Sequence, residues 1–389
     1  MNRRRSLLFY SGWGLGYHNP EAERKAAAFA RAGYDVAYVA GLGIRNPRLS
    51  SAPKLVSRVR AKLAPSMPSA SPPPPGVRSV ALAVVPPRQQ RVLRRVNAAW
   101  LGRQVRGVVP SWQYAVAWIR WPTPELVDWL KRDPPAALVY ECVDAYDHTP
   151  GITGRWEAIF RAAEDELVAL ADAVVVPGPA LAERFSGRAR VVTVPHGTEL
   201  FSWTYPPPRN SRPITAGFVG TLDYRLDMAW IRRIAEERPD WRVHLAGPHQ
   251  EGFSPRELRD LANVELAPPV AFAELGPVLA GFDVGVMPYR DHPHVRSMTP
   301  VKNLELMAAG RPAVARPSPA LEQYAEWLYF ARTADQFVAQ AQRAVDEDSL
   351  ERARARRAVA ESSSWERREA DLIALLEELE VGPGERTPA

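Results

Sequence analysis

Leu7-Leu8-Phe9-Tyr10-Ser11-Gly12-Trp13-Gly14-Leu15-Gly16-Tyr17-His18-Asn19-Pro20 is the stretch that decides the fold. Four consecutive apolar residues read as a strand, and Gly12 to His18 as a glycine-rich turn. Asn19 can cap a helix, Pro20 suits its first position, and Glu21 and Glu23 fall where the helix dipole favours negative charge. Gly33 stops that helix, and Asp35 to Ala40 reads as a second strand. Strand, turn, helix and strand in about 30 residues make a βαβ unit, which requires a parallel sheet.

The rhythm continues outward from there. Short apolar runs follow at Ala81 to Val85, Tyr114 to Ile119, Ala136 to Cys142 and Ala173 to Val176, with helical segments such as Gly154 to Leu170 between them. Strands apolar on both faces belong to a sheet covered by helices on both sides, so a doubly wound α/β domain is predicted over residues 1–205. Within it Ala64 to Gly76, with Pro65, Pro68 and Pro72 to Pro75, cannot be helix and reads as an extended loop. Residues 206–213, from Pro206 to Pro213, read as a linker.

After the linker the pattern restarts and predicts a second domain of the same class over residues 214–360. Its signals are a strand Thr215 to Val219, a Gly220-Thr221 turn, a helix Leu226 to Arg238 and a strand Arg242 to Ala246. A capping-box helix start at Ser254, a strand Asp283 to Pro288, a helix Val301 to Ala309 and a strand Pro312 to Ala315 follow. Residues 361–380 read as an amphipathic helix packing back toward the first domain. Two such domains are expected to face each other across a cleft.

Composition narrows the classes. The 389 residues, with 38 prolines, 24 glycines and 46% apolar residues, exclude collagen, coiled coil and a wholly disordered chain. Cys142 is the single cysteine, which excludes an intramolecular disulfide framework and a cysteine zinc cluster. No apolar run reaches the roughly 18 residues of a membrane helix, so a soluble cytoplasmic protein is expected, with the inner face of the cytoplasmic membrane as a peripheral site. Net charge is +6, yet Val36 to Pro124 carries fourteen basic residues and no acidic one, leaving −8 for the rest. Such a segment points to an anionic membrane surface, a phosphorylated lipid or a nucleic acid, or else is a plain solvated basic face. Between Arg88 and Arg106, Val92, Leu93, Val96, Trp100 and Val105 alternate with arginines at near-helical spacing, which makes Arg91, Arg94 and Arg95 candidate membrane-facing residues. No nucleic-acid reading module accompanies the arginines, so no nucleic-acid partner is expected.

The stretch Ser297-Met298-Thr299-Pro300-Val301-Lys302-Asn303-Leu304-Glu305 enters a helix that ends in Ala309-Gly310-Arg311-Pro312. Lys302 brings positive charge to the start of that helix, and Glu305 one turn on can accept from vicinal hydroxyls, a layout suited to a diphosphate beside a ribose. A plain ion pair is the alternative. The stretch resembles the nucleotide-sugar motif of GT-B glycosyltransferases. Gly217 to Leu222 resembles the first strand of their donor domain, and His244 to Pro248 the second half-repeat. Phe282 to Tyr289 resembles the strand before the donor motif, and Val194 to Glu199 the end of the first domain. The resemblance is to enzymes of bacterial polysaccharide assembly, similar to the glucuronosyltransferase of xanthan synthesis and to teichuronic acid proteins. It implies two Rossmann-like domains, a UDP- or GDP-sugar donor used as substrate, no cofactor, no metal, and a saccharide or polyprenyl-diphosphate-linked acceptor. Donor binding falls to Gly220, Thr221, Arg225, Tyr289, Ser297, Met298, Lys302 and Glu305.

One departure matters. Where many members carry a second glutamate eight residues before Glu305, this chain has Ser297, so an inverting transfer is expected. That needs a base, and Val139 to His148 ends a buried strand at the edge where open α/β sheets bind ligands. Asp144 is the first candidate, Asp147 the second, and His148 the orienter. Gly14, Gly16 and His18 form a candidate acceptor or phosphate loop, glycine allowing close approach. Asp291-His292-Pro293-His294 lacks the further ligands of a metal site. A sugar-nucleotide 2-epimerase and a non-catalytic nucleotide-sugar-binding protein are the alternatives on the same fold.

Overall fold

A computed structural model describes residues 5–12, 15, 21–40, 72–85, 90–146, 154–201, 205 and 213–381. The chain divides into two compact units. One gathers the described residues of Met1–Pro177, Leu181–Val194 and Glu369–Ala389, the other those of Gly178–Ala180 and Pro195–Arg368.

The first unit is a seven-stranded sheet of β1 (Ser6–Tyr10), β2 (Asp35–Val39), β3 (Val77–Val80), β4 (Val116–Ile119), β5 (Ala137–Glu141), β6 (Ala173–Val176) and β7 (Val191–Thr193). The order β3-β2-β1-β4-β5-β6-β7 is parallel throughout and reverses direction between β1 and β4. Its helices are α1 (Glu21–Arg31), α2 (Arg91–Val108), α3 (Pro124–Leu130), α4 (Arg155–Leu170) and α5 (Pro179–Phe185). In β1 the alternation of a strand is used on both sides: Leu8 and Tyr10 join one apolar cluster, Leu7 and Phe9 the other. Leu372, Leu375 and Leu376 of the C-terminal helix complete the Leu7 and Phe9 side.

The second unit is a six-stranded parallel sheet of β8 (Thr215–Val219), β9 (Arg242–Ala246), β10 (Val264–Ala267), β11 (Val284–Met287), β12 (Ala313–Ala315) and β13 (Leu328–Phe330), in the order β10-β9-β8-β11-β12-β13. Here the direction reverses between β8 and β11. Its helices are α6 (Met228–Glu237), α7 (Leu275–Ala280), α8 (Pro293–Ser297), α9 (Lys302–Ala308), α10 (Ala334–Asp346) and α11 (Leu350–Glu361); the C-terminal helix α12 (Trp365–Val381) belongs to the first unit from Glu369 on. Side chains of Asp227, Thr333 and Ser349 cap α6, α10 and α11 by accepting a backbone N–H of the first turn.

Three readings are corrected. Ala81 to Val85 is not a strand: the edge strand is β3, and the following segment lies along α2. There the Asn97 amide bonds both the N–H and C=O of Val85 at 2.7 and 2.8 Å, and the Gln104 amide does the same for Ala83 at 2.9 and 2.8 Å. Ser254 caps no α-helix, since only a single 3-10 turn follows at Pro255–Leu258 and the serine makes no capping bond. The tail helix begins at Trp365 rather than at residue 361, because α11 ends at Glu361 and the chain turns at Ser362 and Ser363.

Candidate active site

In an open α/β sheet, ligands meet the carboxyl ends of the strands where the strand order reverses. In the second unit that edge is built from the ends of β8, β9 and β11. Gly220 donates its N–H to Ala246 at 2.9 Å, and Leu222 donates to Pro248 at 2.9 Å, so the loops after β8 and β9 run side by side. Gly247 has to be glycine: a Cβ there would lie 1.8 Å from the carbonyl oxygen of Gly220. A Cβ on Gly220 would lie 2.9 Å from Cε of Lys302, so the lysine stem passes directly over that turn.

Lys302 opens α9 and bonds Oε2 of Glu305 at 2.9 Å, with side chains 24% and 10% exposed. Burial works against the ammonium, but Glu305 outweighs it and holds the Lys302 pKa above its ordinary value. Arg225 forks onto Asp223, with Nε 3.0 Å from both carboxylate oxygens and a terminal nitrogen 2.7 Å from one, and reaches Met298 Sδ at 3.7 Å. Tyr289 is buried and bridges to Leu226; burial pushes its phenol up while Arg225 and Lys302 pull it down. Thr221 is half-buried beside them.

Ser297 donates its hydroxyl to the His294 carbonyl at 2.9 Å, a bond back along its own helix. The neighbouring histidines also have local partners. His292 caps α8, His294 pairs with the Tyr224 hydroxyl, and Asp291 forks onto Arg296. No group of three or more metal-ligating side chains comes together among the described residues.

At the corresponding edge of the first unit, Asp144 is half-buried, and its Oδ1 accepts the N–H of Ala145 at 2.8 Å. Asp147, His148, Gly14, Gly16 and His18 lie outside the described residues. Glu141, in the same stretch, is 1% exposed and engaged by Lys25, by Arg120 at 3.1 Å and by Trp118 Nε1 at 2.5 Å. Burial alone would raise its pKa, but Arg120 and Lys25 hold the carboxyl below its ordinary value. Trp112, Trp118 and Trp121 are buried in the sheet's apolar clusters.

Four described basic residues of the acid-free segment have acidic partners. Arg94 does not face outward to a membrane: it forks onto Asp128 at 2.6 Å for both bonds and nears Glu166 at 3.5 Å. Arg78 pairs with Asp35, Arg106 with Asp133 and Arg120 with Glu141, acids that all lie outside the acid-free stretch. Arg95 is exposed, and the Arg91 side chain lies outside the described part of α2.

Two features escaped the sequence reading. Asp223 accepts the N–H of Arg225 through Oδ1 at 2.9 Å in a local Asp-x-Arg turn, a spacing that in sequence reads equally as an ordinary turn. Arg356 and Arg357, which bond the end of α9 from α11, carry no local signal.

Two doubly wound parallel-sheet domains, seven-stranded and six-stranded, are the GT-B fold of glycosyltransferases. Residues 214–347 match the family described as Glycosyl transferases group 1. The chain is 29% identical over 204 residues to TuaH of Bacillus subtilis (strain 168), named as a teichuronic acid biosynthesis glycosyltransferase. That match covers 47% of this chain and 51% of the relative, about half its length. Among solved structures, Anabaena Alr3699/HepE in complex with UDP superposes with a TM-score of 0.65 at 13% identity, over 96% of this chain and 100% of that one. The lipopolysaccharide outer core galactosyltransferase WaaB superposes with a TM-score of 0.64 at 11% identity, over 96% and 99%. No helix among the described residues is long and apolar enough to cross a membrane.

Proposed function

We propose that this chain is a glycosyltransferase that moves a sugar from a UDP-sugar to a saccharide acceptor. The observation that carries the reading is the meeting of Gly220 and Gly247 with the Lys302–Glu305 and Arg225–Asp223 pairs at one sheet edge, inside the stretch matching Glycosyl transferases group 1. Each cation already holds a carboxylate, so the donor enters by exchange: its diphosphate takes up Lys302 and Arg225, and its ribose hydroxyls take up Glu305. Gly220 and Thr221 lie against the phosphates, Tyr289 flanks the pocket, and Ser297 and Met298 shape it. Uridine is chosen because HepE is seen with UDP, and a saccharide acceptor because TuaH is named for polymer assembly.

In the proposed step the acceptor oxygen attacks the anomeric carbon. The bond from that carbon to the diphosphate oxygen breaks, and the electron pair leaves with the diphosphate. Lys302 and Arg225 meet the growing charge, which assigns to side chains the role a metal or cofactor would otherwise fill. The hydroxyl proton passes to Asp144, the proposed base, with Asp147 second and His148 as orienter; Gly14, Gly16 and His18 are proposed for the acceptor or phosphate loop. Ser297 in place of an acid favours inversion. The proposal extends to a polyprenyl-diphosphate-linked acceptor met at the inner face of the cytoplasmic membrane, in keeping with the basic first unit. Titration of UDP by calorimetry tests the donor site: Lys302→Ala and Glu305→Ala should each weaken binding about tenfold, the loss of one charge-assisted contact. Unchanged affinity in both would end the assignment.

A further inference from the structure

We propose that the exposed face of α2, with the adjoining Val85, docks on an anionic lipid bilayer. This deepens the reading above by identifying the surface on which a lipid-linked acceptor would be met, and it rests on that reading for its meaning.

At about 100° per residue the exposed positions of α2 fall within one arc of roughly 140°. Val92, Val96 and Trp100 stand at i, i+4 and i+8 in that arc, 73%, 51% and 49% exposed. Ala98, Leu101 and Val105 point the other way and are fully buried in the core of the first unit. Core packing therefore explains one side of the helix and leaves the other unexplained. Val85 widens the row: its backbone is clamped on both sides by the Asn97 amide, one residue from Val96, and its side chain is 49% exposed. Single exposed apolar residues are ordinary on a protein surface, whereas three in one row on a helix, with a fourth on the segment bonded to that helix, mark a contact surface.

Charge selects the occupant. Six basic side chains of the acid-free segment are described, and Arg78, Arg94, Arg106 and Arg120 are paired with Asp35, Asp128, Asp133 and Glu141. Arg95 and Arg103 are exposed on the arc of the apolar row and have no carboxylate partner among the described residues. No acidic residue occurs anywhere in α2. Apolar residues that enter the acyl boundary, an indole suited to the headgroup layer and arginines that snorkel to phosphates are the parts of an interfacial helix. A two-fold contact between copies would instead set this arginine row against its own image with no acid on the helix to answer it.

The test uses the full chain and vesicles of equal parts phosphatidylglycerol and phosphatidylcholine, against phosphatidylcholine alone. The protein should pellet with the anionic vesicles and be released by salt. Val96→Ser with Trp100→Ser, and Arg95→Glu with Arg103→Glu, should each lower partitioning at least about tenfold. Arg94→Gln should leave it unchanged, because that guanidinium belongs to Asp128. All four positions altered in the two double variants are exposed, and an unchanged circular dichroism spectrum confirms the fold. Wild-type pelleting by both double variants overturns the proposal, as does equal binding to neutral vesicles. A changed oligomeric state in sedimentation velocity with unchanged pelleting also overturns it and assigns the face to a second copy. UDP titrations on the same variants separate the two readings. Retained UDP binding with lost pelleting supports the surface, while retained pelleting without any UDP binding sinks the donor site alone.

Discussion

Gly247 sits at φ +151, and a Cβ added there would stand 1.8 Å from the carbonyl oxygen of Gly220 and 2.7 Å from its carbon. Both obstacles are backbone, so no rotamer relieves them. Gly247→Ala must push the loop after β9 off the loop after β8, at about 1–3 kcal/mol by the usual cost of overpacking. Because Gly220 lies against Cε of Lys302, the displacement reaches that lysine, the one proposed to hold the donor diphosphate. The variant should melt several degrees lower and bind UDP more weakly; a wild-type melting temperature would contradict the packing argument. At this scale the pairing of side chains is legible in part. Lys302 and Glu305 stand out by a spacing of three on one helix face, and the structure pairs them at 2.9 Å. The Asp223 fork was harder to see because a carboxylate two residues from an arginine reads equally as turn or surface. Only burial of Asp223 shows that it holds the guanidinium.

The seven-residue helix α9 carries that pair, and its far end depends on another element. Helix ends leave carbonyls unbonded. Here Arg357 donates to the carbonyls of Ala308 and Phe201, both at 2.9 Å, and Arg356 donates to that of Gly310 at 2.8 and 3.2 Å. Arg356 also pairs with Asp348, each side chain 1% exposed. Arg357→Ala removes charge-assisted bonds and should cost about 1.5–3 kcal/mol. Arg356→Ala strands a buried carboxylate and should cost about 3–5 kcal/mol. Urea unfolding of the two variants reads the order, and a reversed order would refute the role of Asp348. Most elements were legible because period and punctuation are local: β1, α1 and β2 follow from four apolar residues, Asn19-Pro20 and Gly33. The edge was not. β3 contains Arg78 and Ser79 and pairs on one side only, so its composition does not announce a strand, whereas the more apolar Ala81 to Val85 belongs to α2 through two amides. Nothing in the local pattern around Arg356 and Arg357 predicts that they finish a helix some 50 positions back, since that depends on tertiary packing.

At the scale of the whole molecule, folding brings acids from outside the acid-free segment, Asp35, Asp128, Asp133, Glu141 and Glu166, onto four of its six described basic side chains. The deepest of these contacts controls pH behaviour. Glu141 is held ionised beside Lys25 and Arg120, with Glu21 as a second acid on Lys25. Its folded pKa lies below the ordinary 4.5, so its contribution is complete above that value and is lost as pH falls through the lower, folded one. Lys25 has a folded pKa above the ordinary 10.5, so its contribution is complete below that value and is lost as pH rises through the higher one. The network therefore supports the first unit fully between the two ordinary values and fails on either side. Glu141→Gln leaves two buried cations with one carboxylate and should cost about 3–5 kcal/mol at neutral pH. It should also flatten the acid limb of stability, because the group that binds a proton on unfolding is gone. Unfolding free energy measured from neutral pH down past 4.5 checks both parts. A variant as stable as the wild type, or one with an unchanged acid limb, would show that Glu141 is not the group that ties β5 to α1 and β4.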